Sequence, residues 1–361
     1  MEEKAPEKIL MKGNEAIGEA AIVAGCRHYF GYPITPQSEL TEYMARRLPQ
    51  VNGVFLQAES EIAAINMVYG AAGAGARVMT SSSSPGISLK QEGISYIAAS
   101  DLPCVIVNMM RGGPGLGSIQ PSQADYFQAT KGGGHGDYHA IVLAPNSVQE
   151  LADMTIQAFD LADKYLTPVI LLGDGALGQT MEPVQFIPSK IPPVAKPWAA
   201  TGLHGRTTTN IINSLHLQPE MMEEQNCKLQ KKYALIKEAE PRFETAYTED
   251  AEMELLVVAY GITSRIAMSA IERARASGRR VGMFRPQTLW PFPEQPLGAL
   301  AKRTAAILVF ELSAGQMVED VRLAANGACP VHFYGRTGGM MPTVRELYEK
   351  IAGLLPGQEG K

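Results

Sequence analysis

Up to about residue 175, short aliphatic runs alternate with longer stretches of helical character, and this alternation constrains the fold more than any other feature. HYFGYP (28–33), GVFLQ (53–57), ARVMTSS (76–82), PCVIVNMM (103–110), AIVLAP (140–145) and TPVILLG (167–173) read as buried strands. Residues 14–25, 36–49, 60–75, 86–100 and 147–165 read as the helices around them. Parallel strands need crossover connections, and strands this apolar need cover on both faces. The order therefore predicts an α/β fold with a mainly parallel sheet between helix layers. Asn14, Thr35 ahead of Pro36, Ser60, and Asn146 or Ser147 supply the expected helix caps.

The pattern then changes. FIPSKIPPVAKPW (186–198) is proline-rich, and PEMMEEQNCKLQKKYALIKEAE (219–240) reads as one charged helix. A second α/β alternation follows, with strands in ELLVVAYG, RRVGMFRP, AAILVFE and CPVHFYG and helices starting near Thr263, Phe292, Ala314 and Pro342. The expected organisation is a first α/β domain over 1–190, a connector over 191–250 whose helix packs on that domain, and a smaller parallel-sheet domain over 251–361.

Composition narrows the function classes. A net charge of −5 without a basic block argues against nucleic acid as a partner. No apolar segment approaches the roughly 18 residues of a membrane span. The start, MEEKAPEKIL, has neither a secretory apolar core nor a transit pattern. The four cysteines, Cys26, Cys104, Cys227 and Cys329, form no C-x-x-C pair, so no metal ligand set and no disulfide framework is expected. A reducing cytoplasm is the expected location.

Three places can carry chemistry. Glu61 follows a strand and opens an apolar run, LQAESEIAAINMVYGAAGAGA, in which only Asn66 and Tyr69 are polar between Ile62 and Arg77. An acid in a first helical turn stabilises the helix terminus whatever else it does. Yet this one stands at the carboxyl end of a parallel strand, where open α/β sheets bind ligands. In FGYPITPQSEL, Tyr32 and Thr35 each precede a proline and are driven to extended geometry, which fixes the Thr35 hydroxyl at a strand end. In VNMMRGGPGLGSIQPSQAD, Arg111 opens a glycine-rich loop, placed to fork onto a carboxylate or simply to leave the strand for solvent. The remaining motifs carry less. GGPGLG lacks dinucleotide-binding spacing. TSSSSPGISL offers four hydroxyls at another strand end, which turn chemistry explains, although the same sheet edge also suits a ligand contact. His135 and His139 are expected at the surface. The G-D-G of LLGDGALGQ opens a magnesium–diphosphate motif in thiamine enzymes, but the window where that motif closes reads KPWAATG, without asparagine.

MKGNEAIGEAA, GYPITPQSEL, AESEIAAINMVYGA, TSSSSPGISLKQEGISY and LPCVIVNMMRGGPGLG together resemble the α subunit of the 2-oxoacid:ferredoxin oxidoreductases, and FRPQTLWPFP and FELSAGQMVEDVR extend the likeness to the second unit. The resemblance is to the branched-chain type, which acts on 3-methyl-2-oxobutanoate (2-ketoisovalerate). It implies a pyrimidine-binding thiamine-type domain followed by a domain like the transketolase C-terminal one. It implies that Glu61 hydrogen-bonds the aminopyrimidine of thiamine diphosphate, with Thr35, Pro33 and Ile34 as further cofactor contacts. Arg111 would orient the substrate carboxylate and Thr35 would bond near its carbonyl. The products would be acyl-CoA, CO2 and reduced ferredoxin.

Because this chain lacks cluster ligands and the closing part of a diphosphate motif, the resemblance implies that Mg2+, the [4Fe-4S] clusters and the diphosphate end of the cofactor sit on partners, which in such a complex would be a β subunit, a γ subunit and a ferredoxin-like δ subunit. Two alternatives stay open: the same reaction on 2-oxoglutarate or another 2-oxo acid, and a non-catalytic assembly subunit.

Overall fold

The computed structural model describes residues 7–355 apart from 193 and 204. Its larger sheet has seven strands in the order Thr288–Trp290, Ile141–Leu143, Pro168–Asp174, Cys104–Met110, Val78–Ser82, His28–Gly31 and Val54–Gln57. All neighbours run parallel except the first pair. The two central strands are buried at every position, as their unbroken aliphatic runs require. Each fully buried aliphatic side chain there contributes about 1.5–3 kcal/mol of transfer free energy.

A smaller sheet follows in the order Val331–Gly335, Ile307–Glu311, Leu255–Val258, Val281–Pro286 and Phe243–Ala246. Its first four strands are parallel, as expected, while Phe243–Ala246 adds an antiparallel edge from a stretch read as connector. Thr288–Trp290 was also missed. It leaves the second unit and pairs with the first unit's sheet. One contiguous core consequently spans both units, from Ala16 and Ile17 to Val309 and Val321. A second core lies under the helices Ile262–Ala276 and Val344–Leu354.

Two expected caps hold. The Ser60 hydroxyl accepts from Ala63 N at 3.2 Å, and the Ser147 hydroxyl accepts from Glu150 N at 3.1 Å. Two do not. The helix Gly13–Val23 begins before Asn14, whose amide instead donates to Pro36 O (2.8 Å) and Glu39 (3.0 Å). Thr35 caps nothing, because the chain turns at Ile34–Gln37 and the helix starts at Ser38. The Pro36 carbonyl is claimed from outside by Asn14 and Gln179.

The helix Pro219–Ala239 lies along the first unit, with Leu229, Tyr233 and Ile236 buried and Lys228 and Lys232 both on Asp101 at 2.6 Å. His139, expected at the surface, is a correction. Its ring stacks on Trp290 at 4.5 Å and meets Tyr233 edge-on. Burial pushes its proton affinity down to about 4. His135 is exposed as expected.

Candidate functional site

The strand order creates the site. His28–Gly31 leads onward to its neighbour on one side, Val54–Gln57, whereas Val78–Ser82 leads to its neighbour on the other, Cys104–Met110. Connections diverging from adjacent parallel strands open a crevice at their carboxyl ends. The segments entering that crevice are Tyr32–Gln37, Ser82–Ser84, Arg111 and, from the edge strand, Ser60–Glu61.

Glu61 is 7% exposed in the first turn of the helix Glu61–Gly73. Its carboxylate meets the first turn of the helix Ser84–Ala99, where Gly86 leaves it room. A Cβ on Gly86 would stand 2.6 Å from Glu61 Oε1 and 2.1 Å from Ser82 Oγ. The same two helices close on each other again where Gly93 admits Ile65. The small residues of these helices therefore serve packing inside this chain first. The outer face of Glu61–Gly73 is uncovered, however, with Ile62, Asn66 and Gly70 exposed.

Arg111 is also buried. Its Nη1 donates to Thr35 O and its Nη2 to Leu116 O, each at 3.0 Å. The guanidinium thus ties the Y-P-I-T-P turn to its own glycine-rich loop, so the sequence-predicted Thr35 and Arg111 are brought together. The Arg111 backbone N–H donates to Ser84 Oγ (3.0 Å), two residues from the glycine that touches Glu61. Pro33 and the Thr35 side chain are exposed at the rim, and Ile34 is half-buried.

Sequence reasoning missed the residues underneath. Gln37 Oε1 accepts from Ser81 Oγ at 2.5 Å, and Ser81 in turn bonds the buried Tyr29 hydroxyl at 2.6 Å. Asp125 accepts from Ser84 Oγ (2.6 Å) and Asn108 Nδ2 (2.9 Å), while burial raises its carboxyl above the usual range. Lys90 is fully buried, and its amine donates to Thr80 Oγ1 (2.6 Å) and Ser81 O (3.1 Å). Lys90 left one readable signal, a charge at helical spacing between Ile87 and Ile94; Asp125 left none.

The crevice also contains buried polar atoms with no partner among the described residues: Gln37 Nε2, Ser82 Oγ, Ser83 Oγ and Arg111 Nε. Buried donors and hydroxyls are normally satisfied. Unpaired ones beside a buried carboxylate suit a polar heterocycle and a substrate carboxylate, so these residues fit the pyrimidine end of thiamine diphosphate. The G-D-G aspartate does not offer a metal site of its own. Asp174 is buried and accepts from Leu177 N (3.0 Å) and from Ile262 N (3.2 Å) across the seam between the units. A groove of about 680 Å3 between the helix Val148–Tyr165 and Ile187, Ser189, Ile191 and Val194 shares no residue with this crevice.

Residues 19–252 match the family model described as pyruvate flavodoxin/ferredoxin oxidoreductase, thiamine diphosphate-binding, and residues 253–347 match pyruvate:ferredoxin oxidoreductase core domain II. The chain is 51% identical to the ketoisovalerate oxidoreductase subunit VorB of Methanothermobacter marburgensis, over 95% of this chain and 96% of that one. It is 37% identical to the 2-oxoglutarate synthase subunit KorA of Archaeoglobus fulgidus, over 98% and 99%. Among solved structures it superposes with a TM-score of 0.85 and 28% identity on the 2-oxoglutarate:ferredoxin oxidoreductase of Magnetococcus marinus, covering 97% of this chain and 66% of that one. A split-gene transketolase shares the fold at a TM-score of 0.59 and 14% identity. With a buried acid at the strand ends, a thiamine-type first unit and relatives matched end to end, the chain belongs to the 2-oxoacid:ferredoxin oxidoreductase family.

Proposed function

We propose that this chain is the α subunit of a thiamine-diphosphate-dependent oxidoreductase that converts 3-methyl-2-oxobutanoate and coenzyme A to acyl-CoA, CO2 and reduced ferredoxin. The observation that carries the reading is Glu61, a carboxylate sheltered against Gly86 at the sheet's carboxyl edge. The substrate assignment is supported by the 51% identity to a ketoisovalerate oxidoreductase subunit, against 37% to a 2-oxoglutarate synthase subunit.

When bound, the cofactor supplies the carbanion chemistry that breaks the bond to the substrate carboxylate. This chain positions and polarises. Glu61 holds a proton at the aminopyrimidine N1′, and its dry seat keeps water from taking that proton. Arg111 has two N–H donors engaged on backbone carbonyls and its Nε unpartnered, so it remains able to orient a carboxylate. The Thr35 hydroxyl bonds near the substrate carbonyl, and Pro33 and Ile34 line the cofactor edge.

Partners complete the site. The exposed apolar side chains Val54, Leu56, Ile62 and Leu89 flank Glu61 in sequence and on the neighbouring helix. A β subunit bearing the diphosphate site would cover them, with Mg2+ and the [4Fe-4S] clusters on partner subunits and γ and ferredoxin-like δ subunits completing the complex. The domain limits 1–190, 191–250 and 251–361 and a cytoplasmic location belong to the same proposal; among the described residues no helix is long and apolar enough to cross a membrane.

Glu61→Gln in the reconstituted complex tests the reading. It should abolish substrate-dependent viologen reduction and leave subunit assembly intact, whereas unchanged turnover would make this chain an assembly subunit. A 2-oxo acid panel on the same complex separates the branched-chain substrate from 2-oxoglutarate.

A further inference from the structure

The loop that carries Arg111 leaves its strand where the ladder on one side has run out. The strand Val78–Ser82 accompanies Cys104–Met110 only as far as Ser82 beside Asn108, because the chain then turns into the helix Ser84–Ala99. On that side the Arg111 N–H has no strand carbonyl to meet, and a buried N–H without a partner is costly. Ser84 supplies the acceptor from its side chain, with Oγ 3.0 Å from Arg111 N.

The serine hydroxyl has one proton and two acceptors within reach, Asp125 Oδ2 at 2.6 Å and Arg111 O at 3.2 Å. The shorter bond to Asp125 takes the proton, which leaves the Ser84 lone pairs for the Arg111 N–H. Asp125 Oδ2 also accepts from Asn108 Nδ2 at 2.9 Å, and Asn108 stands on the strand that runs into Arg111. The bonds therefore close a ring, from Arg111 through Ser84 and Asp125 back to Asn108. Ser84 cannot turn within it without giving up a bond. Asp125 lies just beyond the far end of the Arg111 loop, so the ring clasps that loop at its neck.

Completing a ladder needs only a hydroxyl, but the turn in which Ser84 stands adds a second connection. Gly86, the third residue of the same helix, is where the Glu61 carboxylate rests. One helical turn thus holds the Arg111 backbone through its first residue and receives Glu61 at its third. The Arg111 guanidinium is fixed beyond that backbone by Thr35 O and Leu116 O, and Leu116 belongs to an exposed loop tip.

We propose that Ser84 is a positioning residue for Arg111: its hydroxyl fixes the Arg111 peptide to the helical turn against which Glu61 lies, and so sets the spacing between the group that orients the substrate carboxylate and the group that meets the cofactor. The catalytic consequence rests on the roles proposed for Arg111 and Glu61; the hydrogen bond does not. Loss of the hydroxyl frees the Arg111 peptide, and the guanidinium loses its register on the substrate while the cofactor seat stays in place.

The test uses Ser84→Ala in two settings. In the cofactor-free full chain, hydrogen–deuterium exchange at the Arg111 amide should be about tenfold faster than in the wild type. In the assembled complex the KM for the 2-oxo acid in viologen reduction should rise about tenfold, with the KM values for coenzyme A and thiamine diphosphate unchanged. A hydroxyl that only completed the ladder would lower the melting temperature and leave the 2-oxo acid KM where it was. Ser84→Thr keeps the hydroxyl and should lie closer to the wild type than Ser84→Ala in both readouts. Asp125→Ala removes the acceptor that holds the hydroxyl. It should move both readouts in the same direction by less, which covers the case in which Ser84→Ala does not assemble. Arg111 exchange or a 2-oxo acid KM that matches the wild type, in the variants that assemble, overturns the proposal. An unchanged 2-oxo acid KM in Arg111→Met overturns the functional reading of Arg111 instead, so the two failures are distinguishable.

Discussion

Gly86→Ala separates the site from the fold. Gly86 is the third residue of its helix and has no left-handed backbone geometry, so alanine costs nothing locally and adds about 0.5–1 kcal/mol of helix preference. Against that, the new methyl would meet Ser82 Oγ at 2.1 Å and Glu61 Oε1 at 2.6 Å, and contacts under 3.0 Å are not tolerated. The serine hydroxyl can rotate away, but the carboxylate oxygen must retreat from 2.6 Å to beyond 3.0 Å. Overpacking of this size costs about 1–3 kcal/mol, so the net loss of stability is about 0–2.5 kcal/mol. Catalysis is far less forgiving: a misplacement of about 1 Å can cost about 100-fold, and the carboxylate here must retreat by about half that distance. The expected result is a complex that assembles, melts within a few degrees of the wild type and reduces viologen about 10- to 100-fold more slowly. Turnover within twofold of the wild type, with melting unchanged, would refute the placement of Glu61 at the reacting end of the crevice.

Three further outcomes are expected. Arg285→Met removes a 1% exposed guanidinium that bridges Glu150 and Glu244 at 2.6 Å each. It should lower the urea-derived stability by about 3 kcal/mol, towards the low end for broken buried pairs because Glu244 is largely exposed; a loss below about 1 kcal/mol counts against this. His139 titrates near 4 when folded and 6.5 when unfolded, so the unfolded chain binds more protons in that interval. Stability should therefore fall as pH drops from 6.5 towards 4, and His139→Phe should flatten that part of the curve in thermal melts. Calorimetry on the isolated chain should show only weak thiamine diphosphate binding, and stoichiometric tight binding by the lone chain would contradict a site shared with a partner.

What was legible in the sequence was legible for a physical reason. Strands buried on both faces are mostly aliphatic, so the runs in 104–110 and 168–174 announce themselves despite Asn108 and Asp174, and carboxyl-end positions such as Glu61 and Arg111 can be read from the strands that precede them. Edge strands carry no such constraint. Phe243–Ala246 is exposed along most of its length and lay hidden in apparent connector, and the short paired strands Ile9–Lys12 and Met181–Val184 of the first unit were missed as well. Thr35 failed as a cap because the chain makes a further turn over 34–37 before the helix starts at Ser38, a turn whose Pro36 carbonyl is held by Asn14 and Gln179 from distant parts of the sequence. His139 was misplaced for a similar reason: its partner Trp290 is 151 positions away by simple difference of residue numbers, on a strand that changes sheets.

That change of sheets explains why a second unit without candidate chemistry bears on the first unit's site. Thr288–Trp290 completes the large sheet, and Gln123, at the end of the Arg111 loop, donates to Tyr260 O (2.8 Å) and accepts from Leu312 N (3.0 Å) in the second unit. The base of the loop, where Gly112 N donates to Gln120 O, meets that unit as well. A Cβ on Gly339 would stand 2.2 Å from Gln120 Cβ, and Gly112 packs on the Gly338–Gly339 backbone. The loop that carries Arg111 is thus held at its far end by a buried amide and at its base by backbone packing, while its tip over 113–117 is exposed. Because Arg111 stands beside that base, its orientation against Thr35 depends on the second unit as well as on the strand from which it emerges. Bulky residues at Gly339 should then disturb the Arg111 guanidinium without touching it.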